Sequence, residues 1–314
     1  MQTTGDRKLR TSIIDESVKR VLQGLAILSA SFIFVIAGVI LMKGITPFVT
    51  QNGGLGRVPL WNFLTGDTWL IGPTFSSNLY SVGFIIVQTI YVTFLSLLIS
   101  FPIGVLTALF IAKIAPKKIA ELLRTVVEML ASIPSIIYGL FGAGVILNVV
   151  YNFSAILGYQ SKGGSSVLSS VIILALMTIP TITTVSEVAI RSVDKTLIQG
   201  SLALGASPTQ THFKVVLAAA KSGIFTSAIL GVGRALGEAT AVSLVAGGRR
   251  SGLSLNILDT TSTLTTTMLE GMKESAGLDY DIRFSVGIVL MVVILLTNLT
   301  LNTIKRKVGH VHVK

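Results

Sequence analysis

Six runs of apolar residues, each long enough to cross a bilayer, recur along the chain: near Val21 to Met42, Val82 to Ala115, Leu122 to Tyr151, Val167 to Ile190, Ser222 to Gly247 and Ile282 to Ile304. No alternating ten-residue pattern of a β-barrel is present, and in hydrocarbon a backbone must satisfy its own hydrogen bonds, so each run predicts a helix. The second and third runs exceed the roughly twenty residues a bilayer needs. Each contains a proline, Pro102 and Pro134, where tilt, a kink or a local break is expected. The first run is too long for the hydrophobic stretch of a signal peptide and lacks a small-residue cleavage site before Lys43, which predicts a retained helix.

Composition agrees with lipid as the solvent. Of the 314 residues 51% are hydrophobic and only 12% charged, more apolar surface than a soluble core of this size hides from water. The net charge of +11 does not point to nucleic acid, because the basic residues sit between apolar runs and not on a soluble face with base-reading side chains. They follow membrane topology instead. The connections on one side carry 17 Lys and Arg, those on the other carry 7, and Arg234 remains inside a span. Both termini are therefore expected in the cytoplasm. The boundaries that follow are a cytoplasmic segment 1–20, a first transmembrane helix 21–42, an external loop 43–81, a transmembrane core 82–304 with a cytoplasmic loop at 191–220, and a basic cytoplasmic tail 305–314. Absence of cysteine excludes disulfides, Fe–S clusters and thiolate zinc sites. His212, His310 and His312 are scattered and read as solvated side chains, so no metal site is expected.

The loop between the fourth and fifth runs carries a helix–turn–helix pattern. Apolar residues at helical spacing stop at Gly205, which is free to take the left-handed conformation, and Ser207 can then cap a new helix with Pro208 in its first position. This loop resembles that of the membrane subunits of ATP-binding-cassette importers, which has Glu-Ala-Ala, three residues, Gly, nine residues, then Ile-x-Leu-Pro. Gly205 matches the glycine, and Val215 and Leu217 match the Ile and Leu. Gln199-Gly200-Ser201 replaces Glu-Ala-Ala, and Ala218 replaces the proline. The resemblance implies that Gln199, Leu204, Gly205, Ala206, Ser207 and Leu217 belong to the loop that docks on a separate ATPase. No Gly-x-x-x-x-Gly-Lys-[Ser/Thr] segment is present, so ATP and Mg are expected on that partner and no cofactor on this chain.

Within the fifth run lies Gly231-Val232-Gly233-Arg234-Ala235-Leu236-Gly237-Glu238. An arginine at mid-bilayer costs about 2.5–3.5 kcal/mol even on the lenient insertion scale, which makes it a site candidate. Arg234 and Glu238 stand four apart and on a helix would share a face, so they either neutralise each other or line an anion path in which the guanidinium fork holds an oxyanion. Gly233 and Gly237 provide a small-xxx-small surface for a neighbouring helix. Ser135, after Pro134, either offers its hydroxyl and freed amides to an oxyanion or merely follows the kink. Glu128 can pair with Arg124 at i, i+4.

The run Gly-Arg-Ala-Leu-Gly-Glu-Ala-Thr-Ala-Val, with Pro134-Ser135-Ile136-Ile137-Tyr138-Gly139-Leu140-Phe141-Gly142, the Trp61 to Trp69 stretch and Asn298, is similar to the phosphate-specific permeases of the importer family, PstC type. That resemblance implies an all-α, type I importer permease fold in the cell membrane. It also implies inorganic phosphate as substrate, with Arg234, Glu238 and Ser135 on its path by alternating access. The implied partners are a second permease, a dimer of ATP-binding subunits and an external phosphate-binding protein. On this reading the chain is not itself an enzyme. Alternatives are a permease for molybdate, sulfate or a phosphonate, and an ion-coupled carrier working alone. Trp61 and Trp69 read as interfacial anchors or, alternatively, as an external docking surface, and the threonine-rich run Thr260 to Thr267 is expected in an external loop.

Overall fold

The computed structural model describes residues 4–71 and 79–309, with side chains described from 15 to 71 and from 79 to 307. His310, His312 and Lys314 lie outside the described residues, as do the side chains of Arg7, Lys8 and Arg10. The described residues contain six helices long and apolar enough to cross a membrane: Asp15–Val49, Gly83–Ile114, Ser135–Ile156, Val167–Arg191, Pro208–Gly237 and Leu278–Lys307.

In chain order the helices are α1 (Thr4–Val49), α2 (Leu60–Thr65), α3 (Gly83–Leu109), α4 (Lys117–Ser132), α5 (Ser135–Phe141), α6 (Leu147–Ile156), α7 (Val167–Arg191), α8 (Lys195–Ala203), α9 (Pro208–Gln210), α10 (Leu217–Gly237), α11 (Thr240–Ser243), α12 (Leu264–Leu269) and α13 (Leu278–Gly309). One small hairpin pairs β1 (Trp69–Leu70) with β2 (Leu79–Tyr80). Wider π turns at Phe110–Ile114, Gly142–Ile146 and Thr211–Val216 continue α3, join α5 to α6 and join α9 to α10.

Helix α7 is the axis of the bundle. Of its spanning window 67% is buried, against 33% or less for every other span, because α3 and α10 pack on either side of it. Small residues permit the close approach. Ile182 is held between Gly104 of α3, where an added Cβ would lie 2.7 Å from its Cγ2, and Gly231 of α10, where a Cβ would lie 3.0 Å from its Cδ1. Further along, Gly223 of α10 abuts Ala189 of α7, with only 2.3 Å for a Cβ. Hydroxyls line the same seam, and Ser186 donates to Ser227 across α7 and α10 at 2.8 Å. By contrast α1 touches chiefly α13, through the Ser285 hydroxyl to the Gly44 carbonyl at 2.7 Å and Lys43 to Asp281 at 3.5 Å. The remaining surface of α1, including Phe32, Phe34 and Met42, is exposed, as suits a lipid-facing or subunit-facing helix and no water-facing one.

The third apolar run breaks at Pro134, one of the outcomes expected there, while other expectations are corrected. Ile133 and Pro134 are extended, and the proline, lacking an N–H, separates the amphipathic α4 from the spanning α5–α6 segment. Pro102, in contrast, is accommodated inside a continuous α3. The spanning helix of the fifth run ends at Gly237, and only the short α11 follows before Gly247. The first helix begins well before residue 21 and extends beyond residue 42. Trp69 is 8% exposed and stacks edge-on against Tyr80 with ring centroids 5.4 Å apart, so it is a core residue and neither anchor nor docking surface, whereas Trp61 is exposed. The threonine run is buried: Thr263 caps α12 and its hydroxyl partners are Thr265 and Thr266, whereas the buried Thr261 hydroxyl has no hydrogen-bond partner among the described residues.

Candidate functional site

Three elements converge around Arg234. It lies in the last turn of α10, half-buried, and donates from Nη1 to the Thr181 hydroxyl on α7 at 2.8 Å. Thr181 is near the middle of Val167–Arg191, so the guanidinium is held near half the depth of the bundle. Among the described residues no carboxylate lies within 4.0 Å of it. The self-neutralising pair with Glu238 is absent because the helix ends first. Glu238 is extended (φ −78, ψ 118) and turns its Oε1 to the Ala241 amide at 3.0 Å, capping the start of α11. The Glu238 carbonyl in turn accepts from the Thr265 hydroxyl at 2.8 Å. A chain break in α10, followed by the short α11, thus fixes the carboxylate at the helix end and leaves the arginine's charge uncompensated by an acid.

The third element is α5. Ser135 is its first residue, half-buried, behind the extended Pro134. Gly139 on the same helix lets the backbone of α11 approach so closely that a Cβ there would sit 2.9 Å from Ala241 Cα. Tyr138 packs with Met177, Ala241 and Val245 and donates its hydroxyl to the Leu130 carbonyl at 2.9 Å. Helix α5 thus packs on α7 and α11 while Arg234 bonds α7 from α10 and Glu238 lies in the break after α10; no hydrogen bond among the described residues joins Ser135 to Arg234 or Glu238.

At the opposite end of α10 the loop has the anticipated form. Asp194 caps α8 by accepting from the Thr196 amide at 2.8 Å, an interaction that holds its carboxyl below the usual range. Gly205 turns the chain at φ +84, and Ser207 and Gln210 form a capping box around Pro208. Gln199, Gly205 and Ser207 are exposed and Ala206 is half-buried, while Leu204 protrudes at 91% exposure. Leu217 belongs to a different environment: it packs half-buried against Val216, Ala220 and Ile224 at the foot of α10, so it supports the loop without being on its surface. His212 lies half-buried in the π turn that follows. Among the described residues no group of His, Asp and Glu could hold a metal ion.

One buried charge was not legible in the sequence. Glu187 of α7 accepts from Arg124 of α4 at 3.1 and 2.5 Å and from Arg191 at 2.7 Å, so Arg124 bonds a residue 63 positions away and not the expected Glu128. Arg191 also donates to the Ile111 carbonyl at 3.4 Å. The break at Pro134 turns α4 across the end of α7, which brings Arg124 to Glu187. Gln88 of α3 is likewise unannounced: fully buried, with neither amide atom bonded to any described residue.

Both the sequence and the fold of this bundle are matched by known transporters. Residues 100–309 match the family described as the binding-protein-dependent transport system inner membrane component. The chain belongs to this family. It is accordingly a multi-pass, non-catalytic permease subunit of an ABC importer, a class that works with an ATPase partner and a substrate-binding protein. The permease is 38% identical over 253 residues to the probable ABC transporter permease protein YqgH of Bacillus subtilis, covering 80% of this chain and 78% of that one. It is 30% identical over 291 residues to the phosphate transport system permease protein PstC 1 of Mycobacterium bovis, covering 83% and 86%. Among solved structures, a bacterial alginate ABC transporter in complex with its alginate pentasaccharide-bound periplasmic protein superposes with a TM-score of 0.60 over 93% of this chain and 97% of that one; at 19% identity this likeness concerns the fold.

Proposed function

We propose that this permease forms half of an ATP-driven import path for inorganic phosphate, with Arg234 as the residue that receives the anion at mid-membrane. The observation that carries the reading is a guanidinium held near the middle of α7 by a neutral hydroxyl, with no carboxylate beside it among the described residues. Each unit-charge contact near 4 Å is worth about 4 kcal/mol at an effective dielectric of 20, enough to offset the cost of bringing an oxyanion to that depth. Glu238, its carboxylate tied to the Ala241 amide, lies on the same path without neutralising the guanidinium. Ser135 stands on the neighbouring α5 as a further hydroxyl. Similarity to permeases named for phosphate transport supports the choice of solute.

In the assembly we infer, a second permease completes the pathway, two ATP-binding subunits consume ATP with Mg, and an external binding protein delivers phosphate. Termini and α8 face the cytoplasm, where the ATPase engages the loop from Gln199 to Ser207 with Leu204 as its protruding apolar tip. Closure of the motor moves that loop, and α7 and α10, to which it is joined at both ends, rock to alternate access.

The test is ATP-dependent uptake of radiolabelled phosphate into vesicles bearing the full complex. Phosphate uptake is expected to resist excess molybdate and sulfate, and Arg234→Gln is expected to abolish it while the complex still assembles. Uptake blocked by molybdate but indifferent to phosphate assigns another oxyanion; normal uptake by Arg234→Gln removes the arginine from the pathway.

A further inference from the structure

Two adjoining cavities open on the face opposite α8. The larger, about 550 Å³, is lined by Ser243, Gly247, Gly248, Arg250, Thr266 and Glu270. A smaller one, about 130 Å³, shares Arg250 and Glu270 and adds Arg249 and Arg283. The larger volume greatly exceeds the roughly 30 Å³ that one water occupies in the liquid, so a hydrated small anion fits.

The charges around these cavities are unequally engaged. Arg249 is bound to Asp259 at 3.3 Å and to the Gly252 carbonyl at 2.7 Å. Arg283, 2% exposed, donates to the carbonyls of Thr267 and Glu270 and lies 3.6 Å from Asp279. The side chains of Arg250 and Glu270 have no hydrogen bond and no ion pair within 4.0 Å among the described residues. Glu270 instead turns its carboxylate toward Gly248, where an added Cβ would lie 3.5 Å from Oε1. An arginine and a glutamate thus front one cavity without closing on each other. The segment from Glu238 through α11 connects this cavity to Arg234 along the chain.

We propose that this cavity is an outer waiting site for a protonated oxyanion, phosphate above all, ahead of Arg234; the proposal rests on the phosphate reading. Arg250 donates to an unprotonated phosphate oxygen, and Glu270 accepts from the P–OH group. Inorganic phosphate keeps at least one proton at neutral pH, whereas sulfate and molybdate keep none. Arg250 and Glu270 are both exposed, so the discrimination here is electrostatic: a P–OH donates to the Glu270 carboxylate, whereas a fully deprotonated dianion meets its charge with no proton to share. Selection between oxyanions therefore begins at this mouth and not only at mid-membrane.

Equilibrium binding of radiolabelled inorganic phosphate to the purified full importer without its binding protein tests this, in an Arg234→Gln background that isolates the outer site. Phosphate is expected to bind, sulfate not to compete, Arg250→Gln to weaken binding about tenfold or more, and Arg250→Lys to recover most of the loss. Glu270→Gln, whose amide can donate, is expected to let sulfate compete. Unchanged affinity in Arg250→Gln, or sulfate competing equally with Glu270 intact, overturns the site while phosphate uptake by the wild-type vesicles leaves the broader reading standing. Wild-type vesicles that import no phosphate overturn both. Folding is not at issue for Arg250, since its structural contact is made by its backbone carbonyl, which accepts from the Trp69 amide at 2.7 Å.

Discussion

Replacing Glu187 by glutamine removes the negative charge that bonds both Arg124 of α4 and Arg191 of α7. The carboxylate side chain is 8% exposed and accepts three charge-assisted hydrogen bonds, each worth about 1.5–3 kcal/mol. Breaking a buried pair by removing one partner costs about 3–5 kcal/mol when the orphaned charge stays buried. Here Arg124 and Arg191 retain 39% and 45% exposure and regain water, and glutamine still accepts one bond, so the expected loss is about 2 kcal/mol. The unit that opens is α4, which packs on the bundle through the thin apolar cluster of Ile111, Ala120 and Val127. Amide exchange along Lys117–Ser132 in the purified complex should accelerate about 30-fold, at 1.36 kcal/mol per factor of ten. Glu128→Gln, the near-sequence alternative, should leave exchange unchanged. Undisturbed protection of α4 in Glu187→Gln, or acceleration by Glu128→Gln instead, refutes the assignment of this contact as the clamp.

Gly205→Val forces a β-branched residue to φ +84 in open space, a backbone strain of about 1–2 kcal/mol with no clash inside this chain; ATP hydrolysis is expected to persist while phosphate uptake falls, and fully coupled uptake would count against a docking role for the loop. Gly104→Val drives a side chain into Ile182, which Gly231 backs from the far side; a loss of about 1–3 kcal/mol in thermal stability is expected, eased by adding Ile182→Val, and an unchanged melting temperature would contradict the packing. Asp259 is held below the usual carboxylate range by the Ser254 hydroxyl, then by Tyr159 and by the Arg249 charge. A depressed native value means that its contribution is present above the ordinary carboxylate pKa and is lost as pH falls through the lower native one. Amide exchange of residues 249–259 should therefore stay slow from about pH 6 down through about pH 4 and accelerate only below, and an earlier onset would contradict the network.

How much of the site was readable in advance depended on the range of the interactions involved. The α8 turn was legible because Gly205, Ser207, Pro208 and Gln210 act within a few residues of one another. Arg234 was legible because a charge in an apolar run is conspicuous without any partner. Of the two readings its spacing from Glu238 allowed, the self-neutralising pair does not form, since i, i+4 spacing brings two residues together only while the helix continues, and nothing local announces its end at Gly237. Glu187 escaped notice for the complementary reason: it sits in the last turns of a long apolar helix, and its main partner is 63 residues distant. The buried threonines and Trp69 read as loop and interface residues because burial is a property of neighbours supplied by α3, α13 and β2.

Hydrophobic run length and local turn chemistry were sufficient by themselves for a six-span helical membrane protein with a protruding loop, since a lipid solvent leaves the backbone no other way to satisfy its amides; the transporter family was legible only through the resemblance of whole motifs. Only the tertiary structure decided which charges stand alone and which are clamped. In a bundle whose faces are nearly all apolar, the partner of a polar side chain is chosen by where helices break and cross, at Pro134 and Gly237 above all, and those crossings are long-range events that no window of sequence contains.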